Sequence, residues 1–154
     1  MPISAYAQAV NQVVTLFQAL GDKQRLRIIG LLLVQPDGAC VCELVDALCI
    51  PQYQASRQLS VLRDAGLVSG EKRGVWVYYQ VAPGLPPLAK GMLETLAAHL
   101  NDDDATLDKE RFTKRLALRK HGVCALGYER GRPFRDTIPL LPTDRPRGGA
   151  HGRT

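Results

Sequence analysis

The segment from residue 41 to residue 81 constrains the fold more than any other part of the chain. Apolar residues at helical spacing predict a short helix over residues 41–48, which a proline ends, and a second helix over residues 52–65, which a glycine ends. Alternating β-branched and aromatic residues over residues 75–81, after a charged tip that contains a glycine, predict a β-hairpin. Two short helices followed by a hairpin are typical of a winged helix-turn-helix.

Helical periodicity also flanks this segment on both sides. Apolar residues recur at helical spacing over residues 6–20 and 22–33 before it, and over residues 86–100 after it. Asp22 suits the N-cap of the second of these helices. We therefore predict a mainly α fold with a β-hairpin wing, in the order α-α-α-α-β-β-α, which forms one domain over residues 1–100.

The chain beyond residue 100 differs in composition. Within residues 101–120 a basic helix is predicted over residues 108–120, and the Gly-, Pro- and Arg-rich residues 121–154 are predicted to be irregular or disordered. Residues 1–100 carry 8 Lys and Arg against 7 Asp and Glu, whereas residues 101–154 carry 12 against 8. Most of the net charge of +5 therefore lies outside the predicted helix-turn-helix, and the total charge alone does not identify a partner.

The sequence contains no apolar stretch long enough to span a bilayer, and its N-terminus lacks the basic and apolar regions of a secretory signal. Its four cysteines are therefore expected to be reduced thiols rather than a disulfide framework. We expect a cytoplasmic protein without a membrane partner.

The second helix of the predicted pair presents a polar face that suits the major groove of DNA. Gln and Arg side chains can contact base edges through two hydrogen bonds, Ser reaches bases or phosphates, and cations at the hairpin tip suit phosphates. The candidate DNA-binding residues are Gln52, Tyr53, Gln54, Ser56, Arg57 and Ser60 on the helix, with Lys72 and Arg73 on the wing. Polar side chains that simply face water are the alternative, but the order of the elements favours DNA binding. The alternating Trp76 and Tyr78 are predicted to pack in the core.

Three segments of the chain resemble the ArsR/SmtB-type metalloregulatory repressors. Residues 16–28 resemble the entry segment of those repressors, residues 56–68 resemble their recognition helix, and residues 73–79 are similar to their wing. The resemblance implies a symmetric homodimer, joined through its first and last core helices, that binds a palindromic operator in double-stranded DNA. Burial of those two helices within one monomer is the alternative.

The motif Cys40-Val41-Cys42-Glu43-Leu44 marks the start of the first helix of the predicted pair. Such a start ordinarily has Ser or Thr at the N-cap and Glu at N3, yet Cys40 occupies the cap, where sulfur is a weak acceptor. Because a helix N-terminus favours anions, the thiols of Cys40 and Cys42 should ionise readily and bind a soft ion. Two core cysteines placed there by chance are the alternative.

The resemblance extends to this motif, because the arsenic sensors of the family carry Cys-Val-Cys-Asp/Glu-Leu at this position. It implies that As(III), or the similar Sb(III), binds these thiolates as inducer, distorts the helix and releases DNA, without an organic cofactor. Val45 stands where some of those sensors have a third cysteine, so the third ligand stays open between Cys49 and Cys124. A small buried hydrophobic Cys49 and an unpaired Cys124 in the tail are the alternatives, and water or a small thiol could complete the shell.

Cys124 and Arg130 also fit the Cys-x5-Arg spacing of thiol phosphatases and one class of arsenate reductases. That chemistry needs a loop of backbone amides that binds an oxyanion, but Glu129 would repel the anion and the sequence predicts no strand before Cys124. We therefore predict that the chain is not an enzyme but a repressor released by As(III) or Sb(III). A repressor that responds to Cd(II), Zn(II) or thiol oxidation, and a constitutive DNA-binding module, are the alternatives.

Overall fold

The structure, a computed structural model, describes residues 3–124. The predicted irregular tail and Arg130 therefore lie outside the described residues, except for residues 121–124. The helices are α1 (Ile3–Leu20), α2 (Lys23–Leu33), α3 (Val41–Leu48), α4 (Gln52–Asp64), α5 (Pro87–His99) and α6 (Asp103–Leu116), and the strands are β1 (Ala39–Cys40), β2 (Val68–Arg73) and β3 (Trp76–Val81). No helix in this part of the chain is long and apolar enough to cross a membrane.

The helix-turn-helix consists of α3 and α4, whose bounds agree closely with the prediction. Pro51 is the N-cap of α4 and separates it from α3. Gly66 has a φ of +77°, in the left-handed region that favours glycine, and it turns the chain from α4 towards β2. Asp22 caps α2 as predicted, because its carboxylate accepts a hydrogen bond of 3.1 Å from the Arg25 N–H.

The wing belongs to a three-stranded sheet, whereas the sequence predicted only a two-stranded hairpin. β2 and β3 pair antiparallel on either side of a turn at Gly74, and β1 pairs with the other edge of β3. In this register Cys40 lies opposite Tyr78, and Ala39 lies opposite Tyr79. A two-residue strand has too little periodicity to be predicted, yet β1 joins the start of α3 directly to the centre of the wing.

The centre of the core is formed by the apolar faces of α2, α3 and α4. These helices contribute the fully buried side chains of Ile28, Ile29, Leu44, Leu48, Leu59 and Leu62. α1 and α5 bury only part of their apolar residues, and Tyr6, Phe17 and Leu88 stay exposed. Burial within one monomer therefore does not account for the apolar stripes of these two helices.

The position of α6 corrects the prediction of a basic helix over residues 108–120. The helix begins five residues earlier because Asp102 is its N-cap and accepts a hydrogen bond of 2.8 Å from the Ala105 N–H. The acidic residues that interrupt the apolar pattern lie in its first turn, where they stabilise the positive end of the helix dipole. α6 packs along α3 and buries Phe112 in the main core, so it is part of the same compact structure.

Candidate metal centre and nucleic-acid interface

Three buried cysteine sulfurs meet at the start of α3. The Sγ atom of Cys40 lies 2.8 Å from that of Cys42 and 3.1 Å from that of Cys124, and the Cys42 and Cys124 sulfurs are 3.5 Å apart. None of the three residues is more than 7% exposed. Among residues 3–124, these are the only three His, Cys, Asp or Glu residues whose ligand atoms converge as a metal site requires.

The local structure explains the placement of the first two thiols. Cys40 is the last residue of β1 and the N-cap of α3, and Cys42 lies in the first turn of that helix. The Glu43 carboxylate accepts a hydrogen bond of 3.0 Å from the Cys40 N–H, as the N3 residue of a capping box does. Both sulfurs therefore lie near the positive end of the α3 dipole, which stabilises a thiolate.

Cys124 reaches these thiols because the chain reverses after α6. Lys120 and Val123 pair in an isolated antiparallel bridge, around a turn in which two residues have positive φ. The Cys124 N–H then donates a hydrogen bond of 2.8 Å to the Tyr78 hydroxyl. The structure therefore buries this candidate third ligand beside the other two thiols instead of leaving it exposed in the tail.

Cys49, the other candidate third ligand, lies at the opposite end of α3. It is the C-cap, with a φ of +54°, and its half-buried thiol donates to the Asp46 carbonyl oxygen at 3.6 Å. A helix of eight residues is about 12 Å long, because each residue adds about 1.5 Å. The structure thus brings Cys124, and not Cys49, to the thiols at the helix start.

Arg115 of α6 is buried against the sulfurs. Its side chain is 1% exposed, and its Nε atom lies 2.7 Å from Oδ2 of Asp46. Its Nη2 atom lies 3.7 Å from the sulfur of Cys42 and 3.9 Å from that of Cys124. The guanidinium therefore binds one carboxylate and still faces two of the three thiols, where it stabilises negative charge.

Arg119, three residues after the end of α6, forms a second buried ion pair. Its Nε and Nη2 atoms each donate a hydrogen bond of 2.7 Å to the Glu43 carboxylate, and Nη2 also donates to the Gly38 carbonyl oxygen at 2.9 Å. Glu43 is fully buried, and a buried carboxylate without a partner is costly, so this pair stabilises the structure around the thiols. Two arginines thus match two carboxylates, and the net charge of the centre is set by its thiols and by any bound ion.

Contact among the sulfurs favours a single thiolate. Hydrogen bonds from Cys40 and then Cys42, aided by the Arg115 guanidinium, lower the pKa of Cys124. Their hydrogen bonds to Cys124 raise the pKa of Cys40 and raise that of Cys42 to about 12, which corrects the prediction that these two thiols ionise readily. A second thiolate would put two negative charges side by side in a buried site. These directions favour a cluster with one thiolate, centred on Cys124, and two thiols.

The three sulfurs fit one soft ion. Thiolate sulfur is the ligand that soft ions prefer. The circle through the three sulfurs has a radius of about 1.8 Å, which is shorter than a thiolate–metal bond of about 2.3 Å, so an ion bonded to all three would lie outside their plane. Trivalent arsenic and antimony form such three-sulfur pyramids, whereas structural zinc takes four ligands. Within the described range no fourth His, Cys, Asp or Glu joins the group.

α4 exposes most of the face that was predicted to contact DNA. Its buried side consists of Ala55, Leu59 and Leu62. The predicted residues that are exposed are Gln52, Tyr53, Ser56 and Arg57, while Gln54 and Ser60 are half-buried. Arg57 forms no hydrogen bond or ion pair with any other residue in the range 3–124, so its guanidinium is available to a ligand.

Gln54 differs from the other predicted residues because its side-chain amide already forms hydrogen bonds within the protein. Its Oε1 atom accepts from Gln24 at 2.8 Å, and its Nε2 atom donates to the Tyr53 hydroxyl at 3.2 Å. Gln58 accepts from Arg25 at 2.7 Å and donates to Gln24 at 3.3 Å. This network joins α2 to α4 and was not predicted, although the spacing of two glutamines four residues apart on one helix face was a signal for it.

The two predicted wing cations differ in their surroundings. Lys72 is exposed and has no hydrogen-bond or ion-pair partner in the part of the chain that the structure describes. Arg73 donates to the Asp37 carbonyl oxygen at 3.1 Å and to the Glu71 carboxylate at 3.0 Å, and its Cζ atom lies 4.8 Å from the centre of the Tyr78 ring. Since 41% of the Arg73 side chain remains exposed, it can contact a phosphate from a fixed position.

The buried charged residues of α6, and Arg119 just after it, were not predicted from the sequence. Asp108 accepts from Arg27 at 2.7 Å, and Arg115 and Arg119 surround the thiols as described above. The stripe has helical spacing at positions 108, 112 and 115 on α6, and it continues to position 119 after the helix ends. Three of its four members are charged, and charged residues are seldom buried unless they are paired, so an apolar pattern could not reveal it.

Part of this sequence matches known proteins. The family model for bacterial regulatory proteins of the arsR family matches residues 22–69. The arsenical resistance operon repressor of Escherichia coli K12 is 40% identical over 81 residues, which are 53% of this chain and 68% of that protein. The chain belongs to the arsR family.

Two further comparisons agree with this arsR-family membership. The arsenic resistance transcriptional regulator ArsR1 of Pseudomonas putida is 40% identical over 78 residues, which are 51% of this chain and 60% of that protein. Reduced HlyU from Vibrio cholerae superposes with a TM-score of 0.55 at 27% identity, over 65% of this chain and 100% of that chain. These comparisons confirm the predicted winged helix-turn-helix, and they confirm that the chain is a DNA-binding regulator and not an enzyme.

The arsR-family match covers only part of the thiol cluster. Residues 22–69 include Cys40, Cys42 and the recognition helix α4, but they end well before α6 and Cys124. The third thiol and the arginines around it therefore lie in a part of the chain that the family model does not describe.

Proposed function

We propose that the chain is a cytoplasmic, homodimeric repressor that binds operator DNA and is released when As(III) or Sb(III) binds Cys40, Cys42 and Cys124. The observation that carries this proposal is the convergence of three buried sulfurs at the start of α3, the first helix of the helix-turn-helix. The relatives named as arsenical and arsenic resistance regulators support the same class of inducer.

Charge balance in the centre supports a trivalent inducer. Arg115 and Arg119 are matched by Asp46 and Glu43, so the fixed charges around the sulfurs cancel. Three thiolates with a trivalent ion are neutral, whereas three thiolates with Cd(II) or Zn(II) keep one negative charge in a buried site. A trivalent ion would therefore remove the single negative charge expected of the ion-free cluster, whereas a divalent ion would leave it in place, and the described residues offer zinc no fourth ligand.

DNA binding is assigned to the exposed face of α4 and to the wing. Arg57 can contact a guanine edge through two hydrogen bonds, and Lys72 and Arg73 suit phosphates. The remaining contacts of this proposed interface come from α4, namely Gln52, Tyr53, Gln54, Ser56 and Ser60.

Apolar residues left exposed on α1 and α5 support a homodimer. Tyr6 is 65% exposed, Phe17 is 59% exposed, and Leu88 on α5 is 51% exposed. Apolar patches of this kind are typical of protein interfaces. A two-fold axis through this face would present two copies of α4 to the two halves of a palindromic operator.

α3 links the thiols to the DNA-binding face. It carries Cys40 and Cys42 at its start, packs against α4 and is held to α6 by the Arg115–Asp46 pair. When the three sulfurs bind an ion instead of hydrogen-bonding one another, the start of α3 is strained. The Arg115–Asp46 pair still holds α3 to α6. The two arrangements of α3 bind operator with different affinity, which is a negative coupling between two sites.

Fluorescence anisotropy of labelled operator DNA tests this proposal. As(III) is titrated into the complex of DNA with the full-length protein, and release is compared among variants. Cys124→Ser and the double variant Cys40→Ser/Cys42→Ser should need more than about 100-fold more As(III) than wild type, because each loses thiolate ligands. Cys49→Ser is the matched control and should release at the wild-type concentration. Wild-type release from Cys124→Ser would reject the third ligand, and wild-type release from the double variant would reject the whole centre.

A repressor that responds to thiol oxidation is the second candidate, favoured by the 3.1 Å contact between the Cys40 and Cys124 sulfurs. Two thiols that transfer two electrons and two protons to hydrogen peroxide would form one disulfide and two water molecules. Peroxide in place of As(III) separates the candidates, since release that dithiothreitol reverses would favour oxidation. Release by neither compound would leave a constitutive DNA-binding module.

A further inference from the structure

Tyr78 lies between the thiol cluster and the wing. It is in the middle of β3, is 2% exposed, and packs in one buried cluster with Cys40, Cys42 and Cys124. It also lies opposite Cys40 in the pairing of β1 with β3. The ring therefore contacts the candidate metal centre on one side of the sheet.

Both the hydroxyl and the ring of Tyr78 contact other residues. Its hydroxyl accepts the hydrogen bond from the Cys124 N–H at 2.8 Å. Its ring lies 4.8 Å from Cζ of Arg73 and 5.4 Å from Cζ of Arg119, within the range of cation–π attraction. One stiff side chain thus touches the backbone of a candidate ligand and the guanidinium of a candidate DNA contact.

The Tyr78 ring is one of three groups that hold the Arg73 guanidinium. Arg73 donates to the Asp37 carbonyl oxygen, which precedes β1, and to Glu71 on the same strand. Lys72, its neighbour, has no comparable support among the described residues. A displacement of Tyr78 would therefore change where the wing presents the charge of Arg73, but not where it presents that of Lys72.

We propose that Tyr78 is a positioning residue that transmits occupancy of the thiol centre to the wing by way of Arg73. The inference rests on the proposed function and adds a second route to it, beside the one through α3 and α4. Cys124 is at once a candidate ligand and the donor to Tyr78, so a shift of its backbone acts first on the Tyr78 hydroxyl. The ring then moves relative to Arg73, and the wing loses a phosphate contact.

Tyr78→Phe separates the two contacts of this side chain. Phenylalanine keeps the ring under Arg73 but removes the acceptor for the Cys124 N–H. We expect the ion-free variant to bind operator as wild type does, and to bind As(III) still. The ratio of operator affinities without and with As(III) should fall by roughly fivefold, as expected when a hydrogen bond that differs between the two states is lost.

Two measurements on each full-length variant are needed. Anisotropy of labelled operator gives the affinity ratio, and fluorescence of Trp76, the single tryptophan, reports As(III) binding because this residue packs against the thiol cluster. Tyr79→Phe is the matched control on the same strand and should leave the affinity ratio unchanged. Arg73→Gln should weaken operator binding, and adding Tyr78→Phe to it should cause little further loss of coupling.

The outcomes separate this inference from the proposed function. If As(III) changes neither Trp76 fluorescence nor operator binding in the wild type, the proposed function fails. If the wild type responds and Tyr78→Phe keeps the full affinity ratio, only the role of Tyr78 fails. An equal loss in Tyr79→Phe would show a general effect on the sheet and would also overturn the proposal.

Discussion

The DNA-binding face and the thiol centre use the same residue types in opposite ways. On α4 and the wing, Arg57 and Lys72 face water and have no hydrogen-bond or ion-pair partner among residues 3–124. In the centre, Arg115 is 1% exposed and lies 2.7 Å from a carboxylate. An exposed cation is available to phosphates and bases, whereas a buried cation is committed to its partner. Burial and pairing therefore determine what each of these described cations can do.

The two regions should also differ in how substitutions combine. Side chains on the DNA face have few shared partners, so their effects on operator binding should add. In the centre, the Arg115 guanidinium lies within 4 Å of Asp46, Cys42 and Cys124, so the loss of one group changes the surroundings of the others. The effects of substitutions in the thiol centre should therefore not add.

The largest expected effect is on stability, and matched substitutions of a buried and an exposed arginine test it. Arg115→Met leaves the largely buried Asp46 carboxylate without its partner, and we expect the free energy of unfolding to fall by about 3 kcal/mol. Arg57→Met removes an exposed charge and should change it by less than about 0.5 kcal/mol. Urea denaturation followed by Trp76 fluorescence measures both values.

A second variant tests whether the stability lost in Arg115→Met comes from the unpaired Asp46 carboxylate or from poorer packing. Adding Asp46→Leu to Arg115→Met replaces the whole ion pair by apolar side chains and should recover part of the lost stability. If Arg115→Met were as stable as Arg57→Met, the contrast between buried and exposed arginines would be wrong.

Proton linkage gives the next largest effect and is specific to the thiol centre. We expect the ion-free cluster to hold one thiolate, because the pKa of Cys124 is lowered while those of Cys40 and Cys42 are raised. Neutral arsenous acid reacts with one thiolate, two thiols and one proton to give three As–S bonds and three waters. A Cd(II) ion bound by the same cluster instead displaces two protons.

The two ions should therefore have opposite pH dependences. As pH rises around neutrality, As(III) affinity should fall by about tenfold per unit, since one proton is taken up, while Cd(II) affinity should rise by about 100-fold per unit. Calorimetric titrations in buffers of different ionisation enthalpy count the protons directly. Proton release on As(III) binding would contradict a single thiolate in the ion-free centre.

The elements and the exposed face that carry the proposed DNA contacts were predictable from sequence, because their determinants are local. α3, α4 and the hairpin have periodic apolar residues, and Pro51 and Gly66 separate the elements. The polar face of α4 then follows from winding the sequence on a helix. The partner of Gln54 could not be identified in this way, since 30 positions separate it from Gln24.

The thiol centre was predictable only in its first half. Cys40 and Cys42 are adjacent to a helix start, but 84 positions separate Cys124 from Cys40. The chain brings them together through ion pairs on α6, and a buried charge such as Arg115 has no signature in apolar periodicity. Cys49, the nearer alternative, lies at the wrong end of α3 because the helix carries it away from the other thiols.

The smallest expected effect belongs to a single exposed cation of the wing. Lys72→Ala should weaken operator binding by only severalfold, but it should lower the slope of log affinity against log salt by about 1, because one phosphate contact and its released counterion are lost. Lys114→Ala is the control, since Lys114 is an exposed lysine on α6, outside the proposed DNA-binding face and outside the helices proposed to join the dimer. Anisotropy at a series of salt concentrations measures both slopes. Equal slopes for the two variants would remove Lys72 from the interface and leave the wing's contribution to Arg73, the cation that Tyr78 supports.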